Sequence, residues 1–160
     1  MRRRLTLLRA TVAAVLGVAV LFGGKSYATD ADEVKATIDD FHAALTALDI
    51  SKMDAVWLHD DSVMDQEPVA RTVTLGWEGT RKNFEGLFAA TAELKVTQAD
   101  GPHVQVQGDA AWAMGIAWAA QRLKTGQVFG LAVFEADVFR KQGGRWLFVS
   151  HAASVLPSPQ

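Results

Sequence analysis

The chain has 160 residues, 49% of them hydrophobic and 21% charged, with no cysteine and a formal net charge of −2. Those proportions describe one ordinary globular domain and exclude a disulfide framework, a thiol nucleophile and a lipid-modified cysteine. They supply no basic surface for a phosphate backbone, so no nucleic-acid partner is expected.

The first 28 residues stand apart from the rest. Arg2, Arg3, Arg4 and Arg9 precede an apolar run from Ala10 to Phe22, and Ser26-Tyr27-Ala28 follows. A basic head, a short apolar stretch and small residues at minus three and minus one form the pattern of a secretory signal peptide over 1–28, cleaved after Ala28. The run is shorter than the roughly 20 residues that span a bilayer, so no stable membrane anchor is expected after cleavage. The expected location is periplasmic or secreted, and the Arg2-Arg3 pair leaves the general secretory and twin-arginine routes both open. Cleavage removes five of the 16 basic residues and none of the 18 acidic ones, which leaves residues 29–160 with a net charge of −7.

From Asp32 to Leu48, Val34, Ile38, Phe41, Leu45 and Leu48 recur every three or four positions and predict an amphipathic helix. Asp49-Ile50-Ser51 breaks it, with Ser51 expected to cap a shorter helix whose inner face holds Val56 and Trp57. A short extended run around Val63, a loop at Pro68 and the extended piece "RTVTLGW" come next. Residues 78–92 predict a third helix with Phe84, Leu87 and Phe88 inward. After Leu94 the period changes to that of strands. In "AWAMGIAWAAQRL" the bulky Trp112, Met114, Ile116 and Trp118 alternate with small residues, and Val128–Arg140 and Arg145–Val155 complete a meander. Three helices followed by long strands imply an α+β fold with helices on one face of an antiparallel sheet.

The Gly143-Gly144 pair reads as a two-residue hairpin turn. It pairs Phe139 with Phe148, Asp137 with Ser150 and Glu135 with Ala152. Trp146, Phe148, Phe139, Asp137, Ser150 and Glu135 then share the inner face, while His151 lies on the other with Val138, Leu147 and Val149. A one-residue slip would reverse those faces and set Glu135 opposite His151. Asp137, between apolar neighbours, would have a raised pKa if desolvated and would suit a general base; the competing reading is a hydrogen-bonded structural acid. His151 reads as a packed or interface histidine, and His42 and His103 as structural. His59, Asp61, Asp65 and Glu67 offer oxygen and nitrogen ligands, but their spacing is not that of a calcium loop, so no metal site is expected. The five tryptophans, among them Trp57, Trp77, Trp118 and Trp146, exceed what a core of this size needs and suggest an apolar ligand pocket. No nucleophile elbow or phosphate-binding glycine loop competes, and no cofactor is called for.

"MDAVWLHDDSVM", "LGWEGTRKNFEGLF" and "DVFRKQGGRWLFVSHAAS" resemble three successive landmarks of the SnoaL-like branch of the nuclear transport factor 2-like superfamily. The resemblance covers residues 33–156 and makes 29–160 a single SnoaL-like domain. It implies a cone-shaped fold, three N-terminal helices packed on a strongly curved antiparallel sheet, a pocket between the layers and dimers formed through the sheet's outer face. Its members include isomerases, cyclases and dehydratases alongside proteins without chemistry, so the fold does not choose a function. The expectation is an exported protein whose pocket binds a small, mostly apolar molecule through Phe41, Trp57, Trp118, Glu135, Asp137, Phe139, Trp146, Phe148 and Ser150. One alternative is a cofactor-independent isomerase, cyclase or dehydratase using Asp137. Another is a dimeric assembly domain without a ligand.

Overall fold

The computed structural model describes residues 28–157, so the signal peptide expected over 1–28 lies, but for Ala28, outside the described residues. Thr29 opens the first helix, α1 (Asp30–Ala47), through a capping box: its side chain accepts from the Asp32 N–H, and the Asp32 carboxylate accepts from the Thr29 backbone. The apolar stripe buries Val34, Ile38, Phe41, Ala44 and Leu45, as the periodicity requires. Asp49, rather than Ser51, caps α2 (Ile50–Val56), accepting from the N–H groups of Ser51 and Lys52. A carboxylate at that position satisfies two orphan donors at once, whereas Ser51 is already inside the helix.

β1 (Met64–Gln66) and β2 (Thr74–Leu75) are short, and α3 (Trp77–Ala90) follows. Four long strands then complete the chain: β3 (Thr91–Gln107), β4 (Ala110–Leu123), β5 (Val128–Gln142) and β6 (Arg145–Val155). The six strands lie in the order β2-β1-β6-β5-β4-β3, and the three helices pack on one side of this curved sheet. One pairing departs from the antiparallel expectation: β1 runs parallel to β6, which makes the sheet mixed. That pairing sets Asp65 directly beside His151. Among the described residues no helix is long and apolar enough to cross a membrane.

The core is aromatic where the helices meet the hairpin end of β5 and β6. Trp57 stacks on Phe148 at 5.2 Å and on Trp77 at 5.9 Å, and Phe139 and Phe41 close on Phe148 at 4.5 and 4.9 Å. Such contacts add to the burial energy of the rings themselves. On β4 the small residues face this layer: Ala111, Ala113 and Ala117 are buried, while Trp112, Met114 and Trp118 are exposed on the far side. Alternation shows that a strand has two faces, and the room available under the helices decides which face turns inward.

The hairpin turn forms as expected, with Gly143 and Gly144 both at positive φ (59° and 78°) and Gln142 opposite Arg145. The pairing runs regularly to Phe139–Phe148 and then shifts, because Val149 has no partner and Val138 pairs with Ser150. This is a β-bulge on β6. Beyond it Asp137 faces His151, not Ser150, and Glu135 faces Ala153. The expected assignment of faces is therefore reversed for everything after Val149: His151 turns inward and Ser150 outward.

Candidate functional site

A cavity of about 290 Å³ lies between the helices and the sheet. Its walls are apolar: Phe41 and Leu45 from α1, Leu87 from α3, Leu94 and Val96 from β3, and Leu131 and Val133 from β5. The exposed Val69 and Phe129 mark its mouth. Glu67, Glu135 and His151 bring charge to this otherwise greasy space, and Glu135 and His151 are only 5% and 4% exposed.

Behind those three side chains the ionisable groups continue. His151 Nδ1 and Asp137 Oδ1 are 2.7 Å apart, both buried. This bond fixes the ring and leaves Nε2 as the nitrogen available to the cavity. His42 Nε2 lies 3.2 and 3.3 Å from the two oxygens of Glu135. Asp65, 1% exposed, sits beside His151 with both carboxylate oxygens buried and without a hydrogen-bond partner, and Oε1 of Glu67 is in the same position. The strand period explains the pair: Asp65 and Glu67 are two residues apart on β1 and its continuation, and therefore share a face.

Burial governs the electrostatics. It pushes Glu67 up to about 7, aided by the neighbouring charges of Asp65 and Glu135 and opposed by His151. Burial likewise raises Asp65 to about 6, against the pull of His151. For His151 burial works the other way and favours the neutral ring, yet the hydrogen bond and charge of Asp137, with the charges of Glu67 and Asp65, hold the imidazolium up to about 10. Asp137 is itself raised by burial, opposed by its bond to His151. Both partners thus draw the same proton toward themselves. Three carboxylates act on the ring, so the proton resides on His151 and Asp137 is the anion.

Residues 34–158 match the SnoaL-like domain family. The chain belongs to that family. Its fold recurs in a candidate dehydratase of the NTF2-like family from Streptomyces avermitilis, 22% identical over 81% of this chain and 97% of that one, with a TM-score of 0.73. An NTF2-like superfamily protein from Salmonella enterica serovar Typhimurium is 17% identical over 80% of this chain and 92% of that one (TM-score 0.73). A ketosteroid isomerase-like protein from Erwinia carotovora atroseptica is 18% identical over 82% and 100% (TM-score 0.69). At these identities the likeness is one of fold. Among curated proteins none matches the chain.

Within this SnoaL-like domain the residues expected to form the pocket fall into four places. Phe41 and Glu135 line the cavity. Asp137 is inside the sheet's inner face but one layer back, reaching the cavity only through His151. Trp57, Phe139, Trp146 and Phe148 are buried in the packed aromatic core beside it, where their own rings fill the space. Trp146 is further tied down by donating its Nε1–H to Asp30. Trp118 and Ser150 are not on the inner face at all: Trp118 is 57% exposed on the outer face of β4, and the bulge turns Ser150 away.

The 59–67 set is split in the same way. His59 stacks on Trp77 at 4.8 Å in an exposed cleft with Asp61, whereas Asp65 and Glu67 belong to the buried cluster. His42, read as structural, is the partner of Glu135. The sequence carries a signal for His151. A buried aspartate on β5 needs a donor, and His151 is the only ionisable donor on the facing half of β6.

Proposed function

We propose that the cavity binds a small, mostly apolar molecule and that the buried cluster moves a proton on it, as a cofactor-independent isomerase or dehydratase does. In this reading His151, held by Asp137, is the proton donor or electrostatic stabiliser, and Glu67 is the base. One observation carries it: a 290 Å³ apolar cavity ends on a fixed imidazolium and a carboxylate whose affinity for protons is near neutrality. A base poised near the working pH beside a group that stays charged is an arrangement general acid–base chemistry can use. Asp137 is a positioning residue here, because its partner stands between it and the cavity.

A suitable probe is nitrobenzisoxazole, a small aromatic molecule that opens to a coloured cyanophenolate when a base removes its ring C–H proton. The expected result is saturable turnover that rises with pH through about 7 and falls roughly 100-fold in Glu67→Gln, the scale of losing a general base. Equal rates in wild type and variant would leave a binding pocket without chemistry.

Two further proposals concern context. Trp112, Met114, Trp118, Phe134 and Val138 form an exposed apolar surface on the outer face of β4 and β5, and we propose that a second copy covers it. This surface replaces the one expected from Val138, Leu147, Val149 and His151, of which Leu147 and Val149 pack against the core and His151 is buried. We also propose export with cleavage after Ala28. The capping box is compatible with it, since a new N-terminus at Thr29 keeps both bonds to Asp32. N-terminal sequencing of the exported protein should begin at Thr29, and a chain that still carried Arg2 would disprove it.

A further inference from the structure

We infer that the molecule taken by the cavity carries a positively charged amine, its apolar body against the hydrophobic walls and its ammonium group directed at Glu67 and Glu135. The inference rests on reading the cavity as a small-molecule site, but not on any reaction taking place there.

Charge counting leads to it. The cluster holds four carboxylates, Asp65, Glu67, Glu135 and Asp137, and two imidazoles, His42 and His151. Each imidazole is already engaged with one carboxylate, His42 with Glu135 and His151 with Asp137. Even with both rings charged, two carboxylates remain without a cation, and no lysine or arginine lines the cavity. The remaining elements supply no relief: α3 and β3 present only Leu87, Leu94 and Val96, and the polar Gln121 of β4 donates to Thr91. The floor of the cavity is therefore negative in excess.

Hydrogen bonding gives the same answer independently. Both oxygens of Asp65 and Oε1 of Glu67 are buried acceptors with no donor. An unpaired buried acceptor costs about 1–3 kcal/mol, more when it is charged. What such a site lacks is a donor, and an ammonium is three donors with no acceptor. A carboxylate or phosphate head would meet like charge. A hydroxyl would supply one donor and leave the charge uncompensated. The imidazolium of His151 is no obstacle, because Asp137 is bonded to it.

Burial also links binding to protons. Glu67, on the cavity wall, and Asp65, behind it, hold theirs up to about 7 and about 6. An ammonium beside them favours their ionised forms, so its arrival below neutrality must expel protons.

Three ligands that share one rigid hydrocarbon cage and differ only in the head test this: adamantylamine, adamantanol and adamantane carboxylate. Calorimetry on the intact domain at about pH 7.5 should find the amine bound at least about tenfold more tightly than the alcohol, and the carboxylate weakest. At about pH 6 the amine should release protons, seen as a dependence of the heat on the buffer's ionisation enthalpy. Glu67→Gln should bring the amine down to the alcohol's affinity, with thermal melting confirming that the variant is folded; Asp65→Asn should do so in part. Alcohol or carboxylate binding as tightly as the amine would overturn the inference while leaving the pocket reading intact. If none of the three bound and nitrobenzisoxazole were not turned over, both would fall.

Discussion

The inner face of β5 and β6 is two different materials joined at one residue. On the hairpin side of Val149, Trp146, Phe148 and Phe139 face inward and are sealed by Trp57 and Phe41 into an aromatic core. On the far side the same strands present His151, Asp137 and Glu135, joined by Asp65 from β1. The first region is held by contacts that every side chain gains from, and nothing in it needs a ligand. The second buries more carboxylates than it can pair, which costs stability. Packed rings and ionisable groups thus occupy opposite ends of a single hairpin.

The sharpest way to test that division is to damage each side in turn. Phe148→Ala should cost about 3–5 kcal/mol of folding stability, the scale of deleting a fully buried aromatic ring, as measured by denaturant titration. Asp137→Asn should cost less, about 2–3 kcal/mol, as expected for removing the charged partner of a buried hydrogen bond. It should also release His151, whose ring titration by NMR is expected to move down from about 10 once burial is no longer offset by the Asp137 hydrogen bond and charge. An unchanged titration would mean that the two residues are not coupled.

Glu67→Gln should do the opposite of the core substitution and stabilise the fold. Glu67 binds its proton more tightly folded, at about 7, than its ordinary value of 4.5, and Asp65 behaves likewise at about 6. Their contribution is therefore fully present below about pH 4 and is lost as pH rises through about 6 to 7. Thermal stability should fall over that window, and Glu67→Gln should flatten the fall and gain about 1–2 kcal/mol at pH 8. The smallest effect on folding is expected at the outer face. Trp118→Lys should change the stability of the monomer by no more than about 0.5 kcal/mol, yet light scattering should show the dimer mass replaced by that of the monomer. A wild-type protein that scattered as a monomer would remove the proposed dimer.

Much of this division could be read from the sequence, and the part that could not has a physical reason. The helices α1 and α3 and the four-strand meander follow from periodicity, and the turn follows from two adjacent glycines, because each is decided within a few residues. The bulge is not decided locally. Phe148 and His151 both have to face inward, one for the core and one for Asp137, and three residues of separation cannot meet that demand on a regular strand. The wealth of tryptophans suggests Trp118 as a pocket residue, whereas the inner face of β4 under the helices carries small residues and Trp118 lies outside. The sequence offers Asp65 and Glu67 only as ligands alongside His59 and Asp61, but what brings them to the site is the parallel pairing with β6, a contact across more than 80 residues of chain.

The unpaired Val149 also has a consequence for how such a protein can change. With it in place, β6 behaves like a text read in two frames, one before the extra residue and one after. Deleting that residue would leave every side chain on its present face, because Phe148, Ser150 and His151 would then alternate regularly opposite Phe139, Val138 and Asp137. The faces would be exchanged only if Val149 stayed and were drawn into regular pairing: Ser150 and Ala152 would then turn toward the cavity, and His151 and Ala153 toward the surface proposed to meet a second copy. The two faces of this strand beyond Phe148 are therefore set by whether one residue stays outside the ladder, and a strand one residue shorter would present the same interior.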